Sequence, residues 1–139
     1  MLVRAGVERV RLIDFDQVTL SSLNRHAVAT RADVGISKVQ AMKNHLLEIV
    51  PHAEIDARPQ MFSIDFADDL LKGSPDFVLD CIDNLETKIQ LIAYCCKHNL
   101  KVVASMGAGA KCDPSRVQLA DISETYEDPL AKYFLIHFR

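Results

Sequence analysis

Apolar and polar positions along the chain switch between two periods, and the switching predicts strands and helices in turn. Over residues 8–15, Val10, Leu12 and Ile13 mark a strand. Over residues 37–50, Val39, Met42, Leu46 and Ile49 recur near helical spacing, and Pro51 ends the run. Residues 53–57 read as a short strand, and Ser63 as the N-cap of a brief helix that runs through Leu71 and is closed by Gly73. Phe77-Val-Leu79 is a continuous apolar run between Ser-Pro and Asp, the pattern of a strand covered on both faces. Asn84 then caps a helix through His98, with Leu85, Ile89, Ile92 and Cys96 on one side. Residues 101–104 return as a strand, residues 117–122 predict a further one, and a terminal helix starts at Pro129. Strands alternating with helices across connections of a dozen or more residues predict an α/β, Rossmann-like, mostly parallel sheet with helices on both faces.

The carboxyl ends of two predicted strands carry the candidate chemistry. Leu12-Ile-Asp-Phe-Asp16 leads into Ser21-Ser-Leu-Asn-Arg25 and then Val34-Gly-Ile-Ser-Lys38. An acid at a strand's carboxyl end, Asp14, can accept both ribose hydroxyls of a nucleotide, and Arg25 and Lys38 can neutralise a polyphosphate. Two cations just after the ribose acid suit a triphosphate attacked at its α-phosphorus better than a dinucleotide used for hydride transfer. The second constellation is Asp80-Cys-Ile-Asp83-Asn84. Taken alone, Asp83-Asn84 is the capping pair of the next helix. Taken with the first, Asp83 is expected to share a crevice with Asp14 and to hold Mg²⁺.

Length sets the scale: 139 residues, 49% hydrophobic and 25% charged, suffice for one domain or part of one. No apolar run approaches the roughly 20 residues of a membrane span, and the first residues lack a signal-peptide pattern, so the expectation is a soluble intracellular protein, cytoplasmic or mitochondrion-associated. A net charge of −3 argues against grip on nucleic acid by bulk electrostatics. The charge is uneven, however: seven acids face Lys72 alone over residues 65–86, whereas Lys88, Lys97, Lys101, Lys111 and Arg116 face Asp113 alone over residues 88–116. That basic tract reads first as a solvated face and second as an RNA-facing strip. Four cysteines, Cys81, Cys95, Cys96 and Cys112, show no Cys-x-x-Cys spacing, which argues against a closed zinc site. Cys81 reads as a buried small hydrophobe, adjacent Cys95 and Cys96 as packing residues, and Cys112 as the one candidate for reactivity.

The motif from Leu12 to Arg25, Val34-Gly with Lys38, and Asp80-Cys-Ile-Asp-Asn84 resemble the adenylating fold of the ubiquitin-activating, molybdopterin-synthase-activating and thiamine-pathway (ThiF-like) enzymes. Leu91-Ile-Ala-Tyr-Cys95, Gly107-Ala-Gly109, Cys112-Asp-Pro-Ser-Arg-Val-Gln118, Ala120-Asp-Ile and Asp128-Pro-Leu-Ala131 resemble one branch, the tRNA threonylcarbamoyladenosine dehydratases. The resemblance implies an enzyme that spends ATP with Mg²⁺ to adenylate the threonylcarbamoyl carboxylate at adenosine 37 of a tRNA, after which the group cyclises with net loss of water. It implies Asp14 at the ribose, Arg25 and Lys38 at the phosphates, Asp83 at Mg²⁺ and the phosphate region, Asn24 and Asn84 nearby, and Asp16 among the nucleotide-binding residues. Lys97, Lys101, Lys111 and Arg116 become candidates for RNA contact, and a homodimer and a sulfur-transfer partner protein are further expectations.

The same pattern implies a strand and a glycine-rich phosphate loop before the segment ending at Gly6, and further elements after Arg139. The sequence is accordingly expected to be truncated at both ends, with apolar surface left uncovered. It also departs from many superfamily members in having Ser22 where they have Asn. Two other functions share the pattern: adenylation of a ubiquitin-like or sulfur-carrier protein, and a non-catalytic partner that docks on a complete homologue.

Overall fold

The computed structural model describes residues 1–107, 112–124 and 128–137, with backbone only at 134, 135 and 137. The chain divides into two compact units, Met1–Phe62 and Ser63–Arg139. Each contains one strand–helix–strand crossover.

In the first unit, β1 (Arg9–Ile13) and β2 (Glu54–Arg58) pair in parallel, Arg9 opposite Glu54 through Ile13 opposite Arg58. A parallel pair needs a crossover, and α1 (Lys38–Ile49) supplies it. Ser37 starts α1 by accepting the Gln40 amide on its hydroxyl at 3.3 Å. The apolar stripe read from the sequence is the packed one, with Val39 and Leu46 buried. Val3, Leu46, Ala53 and Ile55 form a core closed by Val10, Leu12, Met42, Leu47 and Val50. Val3 enters it because the opening residues form a 3-10 turn, Val3–Ala5, which Gly6 ends at φ +98°, a backbone state that a side chain would strain.

In the second unit, β3 (Val78–Asp80) and β4 (Val102–Ala104) also pair in parallel, joined through α3 (Leu85–Lys97). The brief helix expected after Ser63 is a 3-10 turn, Ile64–Phe66, running into the single turn α2 (Ala67–Leu70). Beyond β4 come the 3-10 turns Pro114–Arg116 and Ile122–Glu124 and the helix α4 (Pro129–His137). Asp128 starts α4 by accepting the Leu130 and Ala131 amides at 2.9 and 3.2 Å, with Pro at the first helical position. Among the described residues no helix is long and apolar enough to cross a membrane.

Three expectations need correction. β3 is covered on one face only: Val78 is buried while Phe77 and Leu79 are 59% and 49% exposed, because α3 covers the other side. Residues 117–122 form no strand. Val117 and Leu119 stand 82% and 89% exposed, and turn-forming bonds set the backbone instead, Asp121 accepting the Ser123 amide at 2.9 Å. The buried stripe of α3 is Lys88, Leu91, Ile92 and Cys95 rather than the stripe through Leu85, Ile89 and Cys96. A charged residue at the first position of that stripe disguised its helical spacing.

The two strands of the first unit are also tied by charge. Asp56 on β2 accepts from Arg11 on β1 and from Arg58, both at 2.8 Å. Partial burial pushes the Asp56 carboxyl up, but the bonds from Arg58 and Arg11 outweigh it and hold the group below its ordinary value. A carboxyl that binds its proton more weakly folded than unfolded stabilises the fold above the ordinary carboxylate value of about 3.9. That contribution is lost as pH falls through the lowered value. The stability difference between the protein and Asp56→Asn is therefore expected to shrink from pH 6 to pH 3 in urea titrations; a constant difference would show that the Arg11–Asp56–Arg58 bonds do not act through charge.

Candidate functional site

The first constellation is built by two segments stapled together. Val18 donates its amide to Ile36 O at 2.8 Å, Gly35 donates to Val18 O at 2.9 Å, and Lys38 donates to Asp16 O at 2.9 Å. Gly35, at φ +93°, makes the turn that allows this return. Asp14 follows β1 directly, extends the ladder by donating its amide to Arg58 O at 3.2 Å, and accepts the Asp16 amide on Oδ1 at 2.8 Å. No bond to its other carboxylate oxygen exists among the described residues, so that oxygen is available at the strand's carboxyl end.

Lys38 is the first residue of α1, where the positive end of the helix dipole disfavours a cation. Asp16 offsets this by accepting from Lys38 Nζ at 2.5 Å. Lys38 is therefore an ion-paired cation in this structure rather than an unattached one. Arg25 follows the 3-10 turn Leu20–Ser22 and donates to Ser21 O at 3.0 Å and Asn24 Oδ1 at 3.2 Å. No carboxylate pairs with Arg25 among the described residues, so its charge is available to an anion. The departure at Ser22 has a local cause, since its buried hydroxyl both accepts the Thr19 amide at 3.0 Å and donates to Thr19 O at 2.9 Å. Those bonds lock the turn that carries Asn24 and Arg25.

In the second constellation, Asp83 is exposed and has no hydrogen-bond or ion-pair partner among the described residues. Asn84 is the N-cap of α3: Oδ1 accepts the Thr87 amide at 3.0 Å and the Thr87 hydroxyl at 3.1 Å. Cys81 is exposed, against expectation, because it lies in the loop beyond β3. Cys95 and Cys96 diverge as adjacent helical residues should, one buried and one exposed. Burial pushes the Cys95 thiol up to about 11, which keeps it protonated. Asp14 belongs to the first unit and Asp83 to the second.

The basic tract divides. Lys97, Lys101 and Arg116 are exposed, Lys111 lies outside the described residues, and Lys88 is buried. Lys101 Nζ sits 5.3 Å from the Phe77 ring centre. Lys97 lines a shallow cleft of about 370 Å³ with Ile64, Asp68, Ala93, Tyr94 and His98. There the Tyr94 and His98 rings stack with centres 4.1 Å apart, and the Tyr94 hydroxyl donates to Asp68, which raises the phenol above its ordinary value. Sequence reasoning missed the burial of Lys88, whose ammonium donates to Asp80 Oδ2 at 2.5 Å and Ser105 O at 2.9 Å. Its place in the stripe with Leu91, Ile92 and Cys95 was the available signal.

Residues 1–134 match the model of the ThiF family. The chain belongs to the ThiF family. It is 46% identical over 133 residues to tRNA threonylcarbamoyladenosine dehydratase 2 of Saccharomyces cerevisiae, covering 94% of this chain and 30% of the yeast protein. It is 37% identical to the tRNA threonylcarbamoyladenosine dehydratase of Bacillus subtilis, covering 94% of this chain and 52% of that protein. Among solved structures, the E. coli tRNA N6-threonylcarbamoyladenosine dehydratase in complex with ATP superposes with a TM-score of 0.88 at 32% identity, over 96% of this chain and 55% of that one. This ThiF-family chain thus spans about half the length of the bacterial relatives and under a third of the yeast one. The α/β, Rossmann-like fold is shared with the E. coli structure.

The two residues after β3 are expected to separate on substitution. Asn84→Ala removes the cap of α3 and should lower stability by about 1 kcal/mol in urea titrations, with Asn84→Ser restoring most of it. Asp83→Ala removes an exposed carboxylate and should change stability by less than about 0.5 kcal/mol. A large loss from Asp83→Ala would give that residue a structural rather than a ligand role.

Proposed function

We propose that this chain is the nucleotide-binding part of an ATP-dependent tRNA threonylcarbamoyladenosine dehydratase. The observation that carries the reading is the match of 96% of the chain to an enzyme of that name solved with ATP. The geometry of the first constellation supports it. Asp14, next to Asp16, presents an open carboxylate oxygen to ribose hydroxyls, while Arg25 presents an uncompensated guanidinium to phosphate. Lys38 reaches phosphate by exchanging Asp16 for it, so its charge is recruited when the anion arrives. Asn24 stands beside Arg25, and Asn84, committed through Oδ1 to the cap, acts by fixing where α3 begins.

The chemistry follows from positioning. A carboxylate oxygen of the threonylcarbamoyl group bonds to the α-phosphorus of ATP, and the bond from that phosphorus to its bridging oxygen breaks, releasing pyrophosphate. A heteroatom of the carbamoyl group then bonds to the activated acyl carbon, the bond from that carbon to the AMP oxygen breaks, and the proton shed from the carbamoyl nitrogen passes to solvent, so that the nucleoside has lost water. A carboxylate needs no base to deprotonate it, and cancellation of developing phosphate charge dominates. Asp83 suits Mg²⁺, which takes one or two carboxylates and fills its remaining sites with phosphate oxygens and water. When bound, the ion neutralises phosphate charge. Exposed Lys97, Lys101 and Arg116, with Lys111 in the same tract, would contact the RNA backbone, and the Tyr94–His98 stack beside Lys97 offers a face to an unpaired base. This reading places the protein inside the cell, in the cytoplasm or associated with mitochondria, as a homodimer. A sulfur-transfer protein is a further partner under the same reading.

The test uses the protein as expressed from its native gene, with ATP and tRNA carrying the linear modification, and nucleoside mass spectrometry as the readout. Conversion to the cyclic nucleoside is expected. Persistence of the linear form together with adenylation of a ubiquitin-like or sulfur-carrier protein would overturn the reading in favour of that substrate, and absence of any adenylation would favour a non-catalytic partner. Arg25→Ala and Lys38→Ala should each reduce turnover roughly a hundredfold, the usual cost of losing one charge donor in the transition state. A higher KM with unchanged turnover would make either residue a binding group only. Charge reversal at Lys97 and Lys101 should reduce the dependence of log affinity for tRNA on log salt by about two units while ATP binding stays constant.

A further inference from the structure

The ion pair between Lys88 and Asp80 is buried almost completely, the two side chains being 3% and 0% exposed. Such a pair is a poor way to gain stability, because removing both charges from water offsets most of their attraction, and apolar residues of similar volume often serve as well. What it offers instead is direction. Lys88 Nζ donates to Asp80 Oδ2 at 2.5 Å and to Ser105 O at 2.9 Å. The other Asp80 oxygen accepts the Ile82 amide at 3.0 Å, and Asp80 O accepts the Ser105 amide at 2.9 Å. These bonds converge on the carboxyl ends of β3 and β4, the side of a parallel sheet where ligands bind.

The loop between β3 and α3 is thereby held at both ends. At its start the Asp80 carboxylate fixes the Ile82 amide, and at its end the Asn84 cap fixes the first turn of α3. Asp83 lies between the two fixed points with its own carboxylate unbonded among the described residues. Lys88 closes the arrangement, since it rides on α3 one turn beyond Asn84 and returns to Asp80.

We propose that the Lys88–Asp80 pair is a positioning device for Asp83, fixing the direction in which its carboxylate leaves the carboxyl end of β3. This rests on the reading that Asp83 serves the nucleotide. Neither Lys88 nor Asp80 needs to touch the substrate: their effect is transmitted through the backbone at Ile82 and Ser105.

The experiment is a double-mutant cycle in the protein expressed from its native gene, following ATP–pyrophosphate exchange with modified tRNA against Mg²⁺ concentration. One arm is Asp83→Ala. The other is Asp80→Asn with Lys88→Met, which removes both buried charges together; if that variant does not fold, Asp80→Asn with Lys88→Gln takes its place, since it is also charge-free and keeps both an acceptor for the Ile82 amide and a donor at position 88. Circular dichroism and thermal melts establish that each variant is folded at the assay temperature. The charge-free variant is expected to lose tenfold or more in kcat and to need more Mg²⁺ for half-maximal exchange. Adding Asp83→Ala to it should cost little more, because both changes disable one carboxylate. Losses that multiply independently, or an unchanged Mg²⁺ requirement in the folded charge-free variant, would overturn the proposal. An Asp83→Ala protein with normal exchange would overturn instead the assignment of Asp83 to the nucleotide.

Discussion

Parallel strand pairing is the constraint on which the rest of this structure depends. Two parallel strands cannot be joined by a tight turn, so β1 reaches β2 through α1 and β3 reaches β4 through α3. In each unit the crossover sends the chain out at the carboxyl end of the first strand, through a polar loop, into a helix. Asp14 to Arg25 lie on one such exit and Asp80 to Asn84 on the other. Fold and candidate chemistry therefore have one cause. A two-stranded pair is marginal by itself, and each gains its support from its own helix: Leu46 of α1 over Ile55 in the first unit, and the Leu91, Ile92 and Cys95 stripe of α3 in the second.

Charge plays different parts at different depths. The Lys72–Asp69 pair is more than half exposed and adds little, since side-chain ordering and solvent screening cancel most of the attraction. Arg11, Asp56 and Arg58 are partly screened and join two strands already joined by a hydrogen-bond ladder. Lys88 and Asp80 are of another kind. Loss of one partner leaves a charge in a dry interior, which costs about 3–5 kcal/mol in proteins of this kind, whereas loss of both leaves a neutral cavity to be packed. The buried pair thus enforces an arrangement more strongly than it adds to stability.

Much of this was legible in the sequence because local rules and tertiary packing agree. The α1 stripe, the Asn84 cap, the break at Pro51 and the start at Pro129 each follow from short-range chemistry, and each stands in the structure. The failures share a cause too. Val117 and Leu119 carry the composition of a strand but have no partner strand among the described residues, and no local pattern can supply one. Phe77-Val-Leu79 has the hydrophobicity of a doubly covered strand, yet cover is a property of neighbours. Lys88 escaped because a lysine is read as solvated unless its partner is known, and Asp80 meets it only after α3 folds back over β3. At the candidate site the residue types were legible, while the Lys38–Asp16 pairing was set by the stapling of residues 16–18 to residues 35–38, a tertiary event.

The two strand exits use one local device to opposite ends. Asp14 and Asp80 each close a strand, and each accepts on Oδ1 the amide two residues ahead, at 2.8 and 3.0 Å. That bond mimics a backbone turn and fixes the direction in which the chain leaves the sheet. What differs is the second oxygen. At Asp80 it is buried against Lys88, so the carboxylate is wholly consumed by structure, while Asp83, three residues on, keeps an exposed carboxylate with no partner among the described residues. At Asp14 it carries no bond among the described residues, so the same turn holds a carboxylate ready for hydroxyl donors. An acceptor fixed in this way loses little freedom when a donor arrives, and at Asp14 the bond from the Asp16 amide does the fixing within its own turn.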